Sequence, residues 1–293
     1  MTARRCARRA IVGAVLGLLV ALPWVAKPSW ADHGTTDEPR VATSRYVPPQ
    51  GLDGGLLSLP AHADAEGALS AVVLLGDGGA DGRVQFYALR LLSLGFAVLE
   101  VDDDGTGWSD SSDTAPDEVP AERRLAASLA ALHGVTQIAP AAVGVIGIGS
   151  GAHALLEGSA GWRSMVAAAV LIYPACEKAL ASVPPEPSLD NAPPRPRLLL
   201  VHGDADPAAA AACASLAAAL GGAEAGVQRY VLHGAGFGWD VSGIGSASAL
   251  MLPDPARSGS RWRAVPDRQR ALIALDQILL FLGSTLDRRT ATQ

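Results

Sequence analysis

Short apolar runs alternate along this chain with Ala- and Leu-rich amphipathic stretches, and that alternation is what most limits its fold. The runs AVVLLG (71–76), FAVLEV (96–101), VGVIG (143–147), VAAAVLIYP (166–174), RLLLVHG (197–203) and VQRYVLH (227–233) read as strands, and all but the last are near-continuous rather than alternating in polarity. A strand of that kind is buried on both faces, as in a parallel sheet covered by helices. Between the runs, 84–94, 120–133, 151–158, 208–220 and 266–286 have the apolar spacing of helices. The expected class is therefore α/β, a mostly parallel, doubly wound sheet with helices on both faces. Residues 42–60, broken by PPQG and LDGG, predict an antiparallel hairpin on the sheet edge. A Pro-rich loop over 183–196 and a Gly/Ser/Pro segment over 241–266 interrupt the rhythm and are expected to border a site.

The N-terminus has a different logic. Arg4, Arg5, Arg8 and Arg9 precede an apolar run from Ile11 to Val25, and no acidic residue occurs before Asp32. About fifteen apolar residues are too few for a membrane span, and Pro23 and Pro28 break the run, so an export signal is expected rather than an anchor. Ser29 and Ala31 are small residues at the positions a signal peptidase reads, which puts the cut after Ala31. The twin arginines leave the Tat route open beside Sec. This divides the chain into a signal peptide (1–31), a polar lead-in (32–44) and one domain (45–293), exported to the periplasm or beyond. Removing Arg4, Arg5, Arg8, Arg9 and Lys27 with the signal takes the formal net charge from −6 to −11. Such acidity argues against nucleic acid or anionic lipid as partner, and no membrane span is expected once the signal is cut.

In an open parallel sheet, ligands bind beyond the carboxyl ends of the strands. There the chain places GIGSGAH (147–153), YPAC (173–176), HGDADP (202–207) and GAGFGWD (234–240). In this order and spacing the motifs resemble the dienelactone-hydrolase family of α/β-hydrolases over most of residues 45–287. The resemblance implies an α/β-hydrolase fold and an ester, lactone or related small-molecule ligand. It also implies a Ser or Cys nucleophile at the centre of a Gly-x-nucleophile-x-Gly turn, where this chain has Gly149 between Gly147 and Gly151. The family's acid falls on Asp206, with Asp204 as neighbour, and its histidine falls on Phe237. The His-Gly often found at the end of the first central strand is Gly76-Asp77 here, which removes a feature of the oxyanion loop.

A serine or cysteine attacks only when a base takes its proton and a third group orients that base, so Asp206 alone can do neither job. The expectation is a pseudoenzyme: a non-catalytic binding or structural homologue. If so, restoring Gly149→Ser together with Phe237→His should recreate esterase activity. The competing expectation is an active ester or lactone hydrolase with a displaced site of Ser150, Asp206 and His233. A one-residue shift on a starting helix turns the side chain by about 100°, away from the mouth, and Ser150 there reads equally as a helix cap.

The other histidines, His33, His62, His133, His153 and His202, lack metal-ligand spacing. The acidic run between Asp102 and Glu118 lacks the pattern of a calcium loop, and GDGGADG has no dinucleotide context, so no cofactor or metal is expected. Cys6 leaves with the signal. Cys176 and Cys213 follow the ends of consecutive strands at one edge of the sheet, and strands about 4.8 Å apart bring such positions within disulfide reach. A Cys176–Cys213 bridge is expected in an oxidising compartment.

Overall fold

A computed structural model describes residues 43–46, 55–61, 68–77, 82–101, 121–157, 160–182, 195–241, 250–257 and 259–290. All of them belong to one compact unit. The expected signal peptide, most of the expected lead-in, the acidic run and the Pro-rich loop up to 194 lie outside the described residues.

Eight strands form one sheet in the order β1-β2-β4-β3-β5-β6-β7-β8. They are β1 (Thr43–Tyr46), β2 (Gly55–Leu59), β3 (Leu69–Leu75), β4 (Ala97–Val101), β5 (Ile138–Ile148), β6 (Ala168–Ile172), β7 (Arg197–Gly203) and β8 (Val227–Leu232). β1 pairs antiparallel with β2, and β2 with β4. All other pairs are parallel. The expected edge hairpin is present, although Thr43 and Ser44, assigned above to the lead-in, already belong to its first strand.

The apolar runs of the central strands are buried on both faces for the predicted reason, whereas β8 at the sheet edge exposes Gln228 and Arg229. One face packs under α2 (Ala121–His133), α3 (Ser150–Glu157), α4 (Cys176–Ser182) and α5 (Pro207–Ala219), with Leu125, Leu129, Leu155, Ala179 and Leu216 against Val73, Val145 and Leu200. The other packs under α1 (Arg83–Ser93) and α6 (Arg268–Thr290), with Tyr87, Leu91, Leu275, Ile278 and Leu282 against Val72, Ile146 and Val170. Burying a side chain such as Leu282 stabilises by roughly 1.5–3 kcal/mol relative to exposure.

Two elements differ from the sequence reading. Helix α4 begins directly after YPA, where the pattern is too short to carry a helical period. Within 241–266 a two-stranded ribbon forms from β9 (Met251–Pro253) and β10 (Arg261–Arg263). Three-residue strands, one of them fully exposed, show no readable alternation. Among the described residues, no helix is long and apolar enough to cross a membrane.

Candidate functional site

The elbow after β5 has the expected strand-to-helix shape, and its flanking glycines are required by contact. An added Cβ would stand 2.6 Å from the Ala152 backbone at Gly147, and 2.5 Å from the Leu75 carbonyl oxygen at Gly151. Gly149 at the apex has φ +58, the left-handed region that strains other residues. Its N–H donates to the Ile172 carbonyl at 3.0 Å, which fixes the turn to β6. A Cβ on Gly149 would stand 2.5 Å from Oδ2 of Asp77 and 3.2 Å from that residue's Cβ and Cγ. The space a nucleophile's side chain would need is occupied by a carboxylate delivered from the end of β3.

Asp77 opens a buried polar network. Arg83, only 1% exposed on the first turn of α1, donates from Nη2 to Asp77 Oδ1 at 2.6 Å and from Nη1 to the Tyr173 hydroxyl at 2.7 Å. Tyr173 donates in turn to Asp240 Oδ1 at 2.8 Å, and Tyr87 donates to Asp240 Oδ2 at 2.8 Å. Arg83 and Tyr87 share one face of α1 at i, i+4, which is why a single helix reaches both carboxylates. Burial raises the Asp240 carboxyl above the usual aspartate range, and the Arg83 guanidinium opposes the rise. Burial, reinforced by Asp240, also pushes both tyrosine hydroxyls well above their ordinary value, so they act as neutral donors. Tyr173 holds φ +38 and Ala175 φ +51, two side-chain-bearing residues in the left-handed region at the end of β6. Such positions persist only where surrounding contacts over-determine them, as the two hydroxyl bonds of Tyr173 do here.

The histidine slot is filled by aromatic packing. Phe237 meets Tyr173 edge to face at a centroid distance of 4.9 Å and Trp262 at 5.7 Å, and Trp239 meets Tyr173 at 4.8 Å. Val265 N–H donates to the Phe237 carbonyl at 2.8 Å and locks the turn against the chain that follows β10.

Among the described residues, no hydrogen bond links Ser150, Asp206 and His233. Ser150 starts α3 beyond β5, while His233 lies at the end of β8, three strands across the sheet. Oδ1 of Asp206 accepts the Ala208 and Ala209 N–H groups as the cap of α5. His233 is highly exposed and pairs with Asp204, its Nδ1 at 2.7 Å from Oδ2. The Gly234 N–H at 2.5 Å, followed by His233, holds the Asp204 carboxyl below its usual range. His153 is buried, with its Nδ1 3.3 Å from the Pro174 carbonyl and its Nε2 3.0 Å from Glu157.

Sequence reasoning did not find the network. Asp77 registered only as a departure from His-Gly, Asp240 only as the end of a motif, and Arg83 gave no signal beyond occupying an otherwise apolar i, i+4, i+8 stripe with Tyr87 and Leu91.

Beside the network, a cavity of about 410 Å³ opens over the ends of β6 and β7. Gly149 and Ser150 do not line it, whereas Asp206, Phe237 and His202 do. Its floor includes the Cys176–Cys213 disulfide, whose Cα atoms are 4.9 Å apart. Nε2 of His202 and Nε1 of Trp239 are buried with no hydrogen-bond partner. No group of three or more histidine, cysteine or acidic side chains among the described residues could hold a metal ion.

Strand order, the elbow after β5 and the helices on both faces define the α/β-hydrolase fold. Within that fold the chain is similar to solved dienelactone-hydrolase-like proteins. The dienelactone hydrolase of Anabaena variabilis aligns with 20% identity over 69% of this chain and 89% of its own, with a TM-score of 0.51. A dienelactone-hydrolase-like promiscuous phosphotriesterase from metagenomic libraries aligns with 19% identity over 84% and 99%, with a TM-score of 0.58. A thermophilic esterase of Thermogutta terrifontis aligns with 16% identity over 84% and 94%, with a TM-score of 0.53. No protein-family model matches the sequence. No curated protein matches it.

Proposed function

We propose that this protein is an exported, non-catalytic homologue of the dienelactone hydrolases that binds a small molecule at the carboxyl ends of its strands. The observation that carries this reading is the 2.5 Å separation between Asp77 Oδ2 and the place a Cβ on Gly149 would take. A lost nucleophile alone would leave an empty slot. Here the slot is built over by an ion pair with its own hydrogen-bonded support, and the histidine slot by an aromatic cluster. The ion pair is buried, Phe237 is partly buried, and the two replacements are braced through Tyr173, an arrangement that stabilises a fold freed from hydrolysis.

The basic N-terminal segment with its short apolar run supports export, and the disulfide fits an oxidising compartment. Ligands of the ester and lactone class remain the natural starting set, since the neighbouring structures are hydrolases by description.

The test is incubation of the mature protein with a fluorophosphonate probe and with short acyl esters. The expected result is no labelled residue and no turnover above that of a Ser150→Ala variant. Labelling at Ser150, or turnover lost in that variant, overturns the reading in favour of the displaced hydrolase site.

A further inference from the structure

The ribbon of β9 and β10 reverses the charge of the chain around it. Residues 241–270 contain five arginines, Arg257, Arg261, Arg263, Arg268 and Arg270, and only two acids, Asp254 and Asp267, in a chain whose formal net charge is −6. Both acids are engaged locally: Asp254 is buried and faces Arg257 at 3.9 Å, and Asp267 pairs with Arg270. Arg261, Arg263 and Arg268 make the cationic excess, and all three are exposed. At about 0.1 M salt, exposed charges more than about 10 Å apart are largely screened. A surface approaching the ribbon therefore meets this segment's charge rather than that of the whole chain.

Register fixes what the ribbon presents, because alternate residues of a strand point to opposite faces. Trp262 stands opposite Leu252, and this pair faces inward. Leu252 is buried with Val241 and Ala264, and the Trp262 ring packs edge to face on Phe237 beside the cavity. Arg263 stands opposite Met251 and Arg261 opposite Pro253, so these pairs form the outward face. Met251 is 42% exposed on that face, and Val265, just beyond β10, is 54% exposed. Arg257 lies in the turn that joins the two strands, and Arg268 follows them at the start of α6. Guanidinium groups and exposed apolar side chains therefore occupy one surface.

We propose that this outward face docks on an anionic phospholipid membrane. Arg257, Arg261, Arg263 and Arg268 meet the lipid phosphates, which match the guanidinium fork, while Met251 and Val265 enter the boundary between headgroups and acyl chains. A soluble polyanion would use the arginines and leave Met251 and Val265 in water. A neutral apolar partner would bury them and leave the guanidinium groups without counter-charge. Phosphate above hydrocarbon uses both, with the arginine stems lying along the apolar layer. The acidity of the chain as a whole, which argued against anionic lipid, is not shared by this face. Arg257 and Trp262 also line the cavity, so docking brings its mouth close to the lipid surface. The inference does not depend on whether the protein hydrolyses esters.

The experiment is co-sedimentation of the disulfide-intact mature protein with vesicles of phosphatidylcholine alone, and of phosphatidylcholine and phosphatidylglycerol in equal parts. The protein should pellet with the anionic vesicles only, and less as salt rises. Arg263→Gln with Arg268→Gln should weaken that binding about fivefold for each arginine. Arg90→Gln with Arg123→Gln removes the same charge from exposed positions on α1 and α2 and should leave binding unchanged. Met251→Ser should weaken binding without altering its salt dependence. Circular dichroism confirms that each variant is folded. Equal pelleting with neutral vesicles, no pelleting with either, or equal loss in the Arg90 and Arg123 control overturns the proposal. So does full binding by Met251→Ser, which would reduce the contact to charge alone. Ester turnover would overturn the non-catalytic reading and leave this proposal standing.

Discussion

Asp77, two residues past β3, and Gly149, at the apex of the elbow after the neighbouring β5, share one space: a side chain on Gly149 would begin 2.5 Å from the Asp77 carboxylate. A nucleophile at this position therefore requires Asp77 to shift, and its ion pair with Arg83 resists that shift.

The first expected outcome follows from that relation and corrects the expectation drawn from sequence. Gly149→Ser with Phe237→His should not yield an esterase, because the new serine meets Asp77 Oδ2 and Arg83 behind it. Gly149→Ser alone should destabilise the fold by at least about 1–2 kcal/mol through its left-handed φ, and by more through the displaced carboxylate. Thermal unfolding and ester hydrolysis of the single and double variants check both statements. Turnover in the double variant above that of the unmodified protein would show that Asp77 can move aside.

Arg83 ties Asp77 to Tyr173, and both partners of its ion pair are buried. Arg83→Met should cost roughly 3–5 kcal/mol, since it leaves a buried carboxylate uncompensated. For a domain of this size that is a fall in melting temperature of roughly 6–20 °C. Asp77→Leu with Arg83→Met should recover much of the loss, and a double-mutant cycle measures the coupling. Additive single effects would mean that the pair contributes little.

The Cys176–Cys213 bridge closes a loop with a sequence separation of 37. In the chain-entropy model, removing it by Cys176→Ala with Cys213→Ala should lower stability by roughly 4 kcal/mol. Mass spectrometry should find neither Cys176 nor Cys213 open to alkylation before reduction. Two alkylated cysteines without reductant would place the protein outside an oxidising compartment.

Two aspartates should give opposite pH dependences. Asp204 is held below the usual range by the Gly234 N–H and then His233, so its stabilisation is present above the unfolded value of about 3.9 and is lost as pH falls through the lower folded value. Asp240 is raised by burial, so its contribution is complete below about pH 3.9 and is lost as pH rises through the folded value. Melting temperatures measured from pH 2 to pH 7 should show Asp204→Asn falling behind the unmodified protein only as pH rises. Asp240→Asn, offset by its altered hydrogen bonds, should instead gain on the unmodified protein over its own window. Parallel curves for either variant would remove the corresponding shift.

The sheet and its helices were legible in the sequence because each element's burial is a local pattern. A parallel strand covered on both faces must be apolar throughout, and AVVLLG or RLLLVHG can satisfy little else. The disulfide was legible because neighbouring strands lie a fixed distance apart, and the losses at Gly149 and Phe237 because a turn's spacing survives a change of its central residue. What replaced the lost groups was not legible. Asp77, Arg83, Tyr87, Tyr173 and Asp240 come from three strand ends and one helix, and none is unusual in its own segment. A buried charge is tolerable only through partners supplied at a distance, and partners distant in the chain leave no local period. The sequence by itself determined the frame and the glycine at the centre of the elbow; only the packed structure decided that a carboxylate would stand beside that glycine and a guanidinium would hold it there.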